Sequence, residues 1–107
     1  MLKSKEQKIY EGYVKATEKE INLVSTVLAD ITATIVEYCD KRRRYLLISQ
    51  DSKTKKEDLK AAYIMCDNYT TIINDLEKTK SRLEADFRGL EDTLIRLKGE
   101  AKWRKYY

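Results

Sequence analysis

Apolar residues recur at alternating intervals of three and four along the second half of the chain. The positions are Leu59, Ala62, Cys66, Tyr69, Ile73, Leu76, Lys80, Leu83, Phe87, Leu90, Leu94, Leu97 and Ala101. The spacing holds over six heptads, and Lys80 is its one clear break. A strict 3.5-residue period keeps one seam facing a partner helix, so the pattern predicts a coiled-coil helix.

The first half carries a second stripe with the same spacing. Its positions are Tyr10, Val14, Thr17, Ile21, Val24, Leu28, Ile31, Ile35, Tyr38, Arg42 and Tyr45. Residues 21–36 are rich in β-branched side chains, which by propensity alone favour a strand. Strict alternation is absent and the stripe continues on both sides, so the period predicts a helix here too.

The two stripes predict an all-α fold in which both helices belong to one antiparallel hairpin domain, residues 1–107. We expect a helix over about 4–49, a turn at 50–53 and a helix over about 54–104. Ser4, with Gln7 three residues later, is a candidate N-cap of the first helix. Thr54, with Glu57 three residues later, is typical of a capping box. A connection this short makes the helices antiparallel neighbours.

The register of the hairpin tests this prediction. A fold at residues 51–53 pairs positions whose numbers add to about 104, and the two stripes obey that rule. The expected pairs include Tyr45 with Leu59, Tyr38 with Cys66, Ile31 with Ile73, Thr17 with Phe87 and Tyr10 with Leu94. The second helix therefore has the first helix of its own chain as its main partner.

Apolar residues outside the seam would stay exposed in such a hairpin. They include Leu23, Val27, Val36, Tyr63, Ile64, Ile72 and Ile95. Two helices that meet along one seam bury little surface, so we expect homo-oligomers formed by helix bundling between chains.

Composition narrows the functional classes. The chain of 107 residues has 37% charged residues, no proline and no histidine, which removes the commonest general base and zinc ligand. No phosphate-binding glycine loop or nucleophile motif is present, so we expect no enzyme, no metal site and no cofactor.

Cys39 and Cys66 lie near one level of the predicted hairpin. A disulfide between them is conceivable, but the favoured interpretation is that both are small apolar residues that fill space between the helices.

Charge and hydropathy along the chain predict where the protein resides. The apolar runs are short and interrupted by charge, so we expect no membrane-spanning segment and no membrane partner. The amino terminus lacks the apolar core of a secretory signal. A cytoplasmic protein, in the host cytoplasm if viral, is the expectation.

Positive charge is concentrated toward the two ends of the predicted hairpin. Residues 41–60 carry a net charge of +5, residues 1–8 carry +2 and residues 93–107 carry +4, whereas 9–40 and 61–92 sum to −4 and −3.

The turn end supplies the first candidate nucleic-acid-binding residues, Lys41, Arg42, Arg43, Arg44, Lys53, Lys55 and Lys56. Basic clusters beside an aromatic residue such as Tyr45 suit phosphate backbones and single-stranded bases. The alternative is that these cations complement the dipole at the end of the first helix.

The carboxyl-terminal segment is the second candidate region. It interleaves cations with aromatic residues that can stack on bases: Lys102, Trp103, Arg104, Lys105 and Tyr106. The alternative is a structural anchor in which the aromatic rings pack on a neighbouring subunit or on the amino-terminal residues.

The carboxyl-terminal half resembles a known family. The matching features are the stretch 69–77, Tyr-Thr-Thr-Ile-Ile-Asn-Asp-Leu-Glu, and the terminal run 100–106, Glu-Ala-Lys-Trp-Arg-Lys-Tyr. They resemble the UvsY-type recombination mediators of tailed phages. The connection between the helices is shorter, and the first helix longer, than in that family. The resemblance implies a ring-like oligomer that binds single-stranded DNA and helps to load a recombinase.

Two functional hypotheses follow. The first is a non-enzymatic helical oligomer that binds nucleic acid, single-stranded DNA in particular, through its basic ends, as a phage recombination mediator would. The second is a structural or protein-interaction coiled coil, such as a virion component, an assembly adaptor or an inhibitor, with no nucleic-acid role.

Overall fold

The computed structural model describes residues 3–104 and contains two long helices. Helix α1 spans Lys5–Gln50 and helix α2 spans Lys56–Arg104, and no strand occurs within the described residues. The predicted all-α hairpin is therefore confirmed. Each boundary of α1 lies one residue later than expected, and α2 begins two residues later, so the connection comprises residues 51–55.

The heptad seam is visible in the burial of individual side chains. Every stripe position on both helices is buried or half-buried, including the polar Thr17, Arg42 and Lys80. The buried residues of the described chain all belong to the stripes: Ile35, Ala62, Cys66, Ile73 and Ala101. The 3.5-residue period of the sequence thus marks the surfaces along which the helices pack.

Contacts divide the chain into two compact units, each with a segment of both helices. The turn unit is Ala29–Ser81 and includes the connection. The terminal unit contains the described residues up to Leu28 and from Arg82 onward. That residues 1–107 form one domain stays a prediction.

Ser4 begins α1 as the sequence predicts. The backbone N–H of Gln7 donates to Ser4 Oγ at 3.1 Å, so the hydroxyl satisfies a donor that the first turn of the helix leaves without a partner. The same hydroxyl donates to the carbonyl of Arg104 at 3.4 Å. This N-cap therefore also contacts the end of α2 within the terminal unit.

The capping box predicted at Thr54 is wrong. Thr54 Oγ1 donates to the carbonyl of Ile48 at 2.7 Å, so it satisfies an acceptor at the end of α1 rather than a donor at the start of α2. The first helical bond of α2 runs from the N–H of Leu59 to the carbonyl of Lys55 at 2.8 Å. Asp51 shapes the connection, because its Oδ1 accepts from the N–H of Lys53 at 2.9 Å.

Helix α1 contains a long apolar stretch, which bears on the expectation that no segment could span a membrane. It contains an 18-residue window with a mean hydropathy of 1.3, of which 6% is buried, and it meets the length and composition of a membrane span. The premise that charge interrupts every apolar run does not hold for residues 21–36, whose one charged residue is Asp30. Uncharged residues occupy the seam and most outward-facing positions of this stretch, as in a helix with more than one apolar face. The expectation of no membrane-spanning segment and no membrane partner stays a prediction.

The apolar residues predicted to lie off the seam are exposed. Their exposed fractions are Leu23 65%, Val27 37%, Val36 56%, Tyr63 54%, Ile64 52%, Ile72 38% and Ile95 70%. None of the large side chains described is fully enclosed. The exposure is confirmed, while the oligomer inferred from it stays a prediction.

Candidate nucleic-acid interface

The basic cluster at residues 41–44 lies within α1 and not at its end. The helix continues to Gln50, and its last turn contains no basic residue. Interaction with the helix dipole falls off beyond the last turn. Complementation of the dipole therefore does not account for this cluster.

The four consecutive cations have different surroundings. Arg42 is half-buried in the seam, and its Nη1 donates to Thr70 Oγ1 at 3.3 Å. Its carbonyl accepts a weak hydrogen bond from the thiol of Cys66 at 3.8 Å. Arg43 and Arg44 are exposed, and Lys41 is half-buried. Arg42 thus helps to hold α1 against α2, and the other three remain at the surface.

Lys41 is held in place by two neighbours on its own helix. Its Nζ lies 3.2 Å from Glu37 Oε1 and 5.2 Å from the centre of the Tyr38 ring. The hydrogen bond with Glu37 and the negative charge of that carboxylate raise the pKa of Lys41. A raised lysine pKa stabilises the fold at pH values below the ordinary lysine pKa, and the effect disappears as the pH rises through the higher folded-state pKa. Near neutral pH, Lys41 is a fixed cation.

Three tyrosines cluster next to these cations in the turn unit. The ring of Tyr69 on α2 lies 5.6 Å from the ring of Tyr38 and 5.8 Å from the ring of Tyr45, at interplanar angles of 40° and 30°. Offset aromatic packing of this kind holds rings in defined orientations. The sequence reasoning identified Tyr45 but missed Tyr69. All three tyrosines occupy seam positions, which was the available signal. The predicted register placed Tyr38 opposite Cys66 and Tyr45 opposite Leu59, whereas both rings lie against Tyr69.

Cations and tyrosines meet in a cleft that we call the tyrosine cleft. It has a volume of about 350 Å³ and is lined by Lys41, Arg44, Tyr45, Ile48 and Tyr69. Its lining combines two aromatic rings, an aliphatic side chain and two cations. Such a combination fits a flat apolar group that is attached to an anion.

A second cleft, the turn cleft, lies beside the first and shares Tyr45 and Ile48 with it. Its volume is about 510 Å³, and its other lining residues are Asp51, Lys53, Thr54, Lys55, Asp58, Ala61 and Ala62. The structure therefore brings together four predicted residues, Lys41, Arg44, Lys53 and Lys55, along two adjoining clefts. Lys56 and Arg43 are exposed but line neither cleft.

The predicted carboxyl-terminal residues are arranged differently. Arg104 is largely engaged, since its Nη1 donates to Glu6 Oε2 at 2.7 Å and its Nε lies 3.5 Å from Glu100 Oε2. Its guanidinium carbon lies 4.7 Å from the Tyr10 ring centre and 5.5 Å from that of Trp103. The hydrogen bond with Glu6 raises the pKa of Arg104 above its ordinary value, against the opposing effect of burial.

Arg104 therefore anchors the end of α2 to the start of α1, as the structural alternative for this region expects. Lys102 is exposed and Trp103 is 52% exposed. The predicted residues Lys105 and Tyr106 lie outside the described residues. Candidate cations of the turn unit therefore line clefts, whereas Arg104 is engaged within the terminal unit.

Among residues 3–104, cysteine and carboxylate side chains do not gather in groups of three or more that could hold a metal ion. Cys39 and Cys66 are both free thiols. Comparison of the chain with protein-family models, with curated proteins and with solved structures finds no match. The resemblance to UvsY-type mediators stays a prediction, and the functional interpretation rests on the geometry of the clefts.

Proposed function

We propose that this protein is a non-enzymatic helical oligomer that binds single-stranded nucleic acid, DNA in particular, through the tyrosine cleft and the turn cleft. The observation that carries the proposal is the tyrosine cleft itself, which Tyr45 and Tyr69 line together with the cations Lys41 and Arg44. Stacking platforms combined with cations are the usual means by which proteins hold unpaired strands.

The residues have distinct roles in this proposal. An unpaired base stacks against the exposed faces of Tyr45 and Tyr69, and Arg44 and Lys41 contact the adjoining phosphates. Lys53 and Lys55 supply further phosphate contacts at the turn cleft, whose lining also includes Asp51 and Asp58. Glu37 holds the Lys41 ammonium in place and keeps it charged. Contacts to phosphates and to base faces carry little sequence information, so we expect weak sequence preference.

Preference for single strands follows from the aromatic component. In a duplex the faces of the bases are stacked on one another and cannot reach a tyrosine ring, whereas an unpaired base can. Phosphate contacts alone would not distinguish the two forms. A recombination function, which the resemblance implies, would require this preference.

The experiment that tests the proposal is fluorescence anisotropy with a labelled single-stranded oligonucleotide and its duplex at low salt. The matched variants are Arg44→Ala and Arg43→Ala, which remove one exposed arginine each from neighbouring positions of α1. We expect Arg44→Ala to weaken binding several-fold more than Arg43→Ala, because only Arg44 lines the cleft.

A second pair of variants tests stacking. Tyr45→Leu should weaken single-strand binding by about 5–150-fold, the range for losing one base–aromatic contact, while Tyr45→Phe should retain most of it. Circular dichroism should show that both variants remain helical. Absence of binding by the wild-type protein at low salt, or equal losses for Arg43→Ala and Arg44→Ala, would reject the cleft as the binding site.

A second candidate function is a protein-interaction coiled coil. The exposed apolar residues favour it, for example Tyr63 and Ile64 on α2, which are 54% and 52% exposed and line neither cleft. In that case, affinity capture from nuclease-treated extracts should recover a protein that Ile64→Glu no longer binds. Capture that depends on intact nucleic acid would favour the first function instead.

A further inference from the structure

Helix α1 carries a second heptad stripe in the terminal unit, beside the seam that faces α2. Its positions are Ile9, Tyr13, Ala16, Glu20, Leu23 and Val27, at the alternating spacing of four and three that the seam itself shows. Each position precedes a seam residue by one. The second stripe is therefore rotated by about 100° from the seam around the helix axis.

The large apolar side chains that α1 exposes between Lys5 and Leu28 all lie on this second stripe. The exposed fractions are 45% for Ile9, 54% for Tyr13, 65% for Leu23 and 37% for Val27. Single exposed apolar residues are ordinary on protein surfaces, but a row at coiled-coil spacing is typical of a helix that packs against another helix. Helix α2 occupies the seam and leaves this row uncovered.

The exposed area of the chain is large enough to accommodate such a partner. A folded monomer of 12.6 kDa exposes about 6,200 Å² by the usual scaling with mass, whereas this chain exposes 8426 Å². The excess, about 2,200 Å² per chain, is comparable with the area that obligate interfaces bury. Covering the second stripe would remove part of that excess.

The spacing of the stripe identifies a second copy of this chain as the partner. The six positions are symmetric about residue 18, so two antiparallel copies of the stripe align all of their members. Ile9 would lie opposite Val27 of the other copy, Tyr13 opposite Leu23, and Ala16 opposite Glu20. A two-fold axis requires the same surface on both chains to be self-complementary in this way.

Charge selects the antiparallel arrangement over the parallel one. In parallel register Glu20 would face Glu20 of the other copy, and two like charges at facing core positions of a coiled coil are unfavourable. In the antiparallel register Glu20 faces Ala16, whose small side chain leaves room for the carboxylate to reach water.

We infer that the protein dimerises through this second stripe, with the α1 helices of two copies packed antiparallel over residues 9–27. The inference rests on the oligomeric part of the proposed function and names the surface that forms it. It does not depend on nucleic-acid binding, because none of its residues lines the tyrosine cleft or the turn cleft.

Sedimentation velocity at micromolar concentration tests the surface. The double variant Tyr13→Glu/Leu23→Glu should raise the apparent dissociation constant of the dimer by roughly tenfold or more, because it places four carboxylates in the interface. The matched control is Ile95→Glu, which adds a carboxylate at a 70% exposed residue of the same unit outside the stripe. The control should retain the wild-type dimer.

Cross-linking tests the orientation. In a background with Cys39→Ala and Cys66→Ala, Ile9→Cys and Val27→Cys chains are prepared separately and treated with a short bis-maleimide. An antiparallel dimer predicts cross-linking when the two preparations are mixed and little within either one alone. Efficient cross-linking of Ile9→Cys to itself would overturn the antiparallel pairing.

The other outcomes are equally decisive. A wild-type monomer, or a double variant that associates as the wild type does, would overturn the second stripe as the dimer surface. Oligonucleotide anisotropy on the same preparations separates the two proposals. A dimer that binds no oligonucleotide would reject nucleic-acid binding alone. A monomer that binds one would reject the dimer and the oligomeric part of the proposed function, but not nucleic-acid binding.

Discussion

At the scale of single residues, cations of the same type have different functions because their neighbours differ. Arg42 and Arg104 are engaged with Thr70 and Glu6 and hold the helices together. Arg44 lines the tyrosine cleft and remains exposed. Sequence reasoning grouped these arginines by composition and proximity, which cannot distinguish them. The difference arises from the direction in which each side chain leaves its helix.

Arg104 offers a prediction at this scale. Arg104→Ala removes the ion pair with Glu6 and the contact with the Tyr10 ring. The thermal unfolding midpoint should therefore fall, measured by circular dichroism. Arg104→Lys should not restore it, because an ammonium replaces neither the fork geometry nor the flat contact of a guanidinium with a ring.

The matched control is Lys102→Ala, which removes an exposed cation from the same turn of α2. Its unfolding midpoint should stay close to the wild-type value. Equal midpoints for Arg104→Ala and Lys102→Ala would contradict the anchoring role of Arg104. Oligonucleotide affinity should change little in either variant, because neither residue lines the two clefts.

At the scale of elements, the helices followed from the period of apolar residues, but the connection did not. Thr54 precedes Glu57 by three residues and so fits a capping box by sequence, yet its hydroxyl binds the carbonyl of Ile48. Both choices satisfy an orphan backbone group at a helix end. Which one forms depends on how closely the end of α1 approaches the start of α2, and local sequence does not contain that distance.

A substitution at Thr54 tests whether its hydroxyl stabilises the connection. Thr54→Val keeps the shape of the side chain and removes the donor to Ile48, so it should lower the free energy of unfolding by about 0.5–1.5 kcal/mol in urea titrations. Thr54→Ser should recover most of the loss. Ser52→Ala, in the same connection, is the control and should have a much smaller effect.

Glu57 provides the complementary measurement. A capping box would need its side chain, so Glu57→Gln and Glu57→Ala would differ clearly in stability if that motif formed. The observed connection predicts that both changes have only the small effect of losing a charge near the start of α2. A large loss for Glu57→Ala, with Glu57→Gln close to the wild type, would restore the capping box.

At the scale of the whole molecule, positive charge is unevenly distributed, although the net charge is only +4. Residues 41–60 carry +5, and four of their cations line the two clefts. Binding of a polyanion to such a surface releases condensed counterions, and the affinity then depends on salt in proportion to the number of phosphates neutralised.

The salt dependence gives a number to test. If Lys41, Arg44, Lys53 and Lys55 each neutralise one phosphate, the logarithm of the single-strand association constant should fall with the logarithm of salt concentration at a slope of about −3. Arg44→Ala should make the slope shallower by about 0.7. An affinity independent of salt, or a slope unchanged in Arg44→Ala, would contradict this use of the clefts.

The sequence by itself determined the two helices and the faces along which they pack, because a 3.5-residue apolar period places one stripe of each helix against the other and a short connection makes the helices antiparallel. It also determined where the charge accumulates, since that depends only on position along the chain. The predicted register was wrong: Tyr38 packs on Tyr69, and the Cys66 thiol lies against the carbonyl of Arg42, so the paired positions add to 107 and 108 instead of about 104.

Only the tertiary structure decided which cations remain at the surface, which partner Thr54 takes and that Tyr69 joins Tyr45 beside Arg44. Those outcomes depend on side-chain directions and on distances between helices, which arise only when the two stripes pack together.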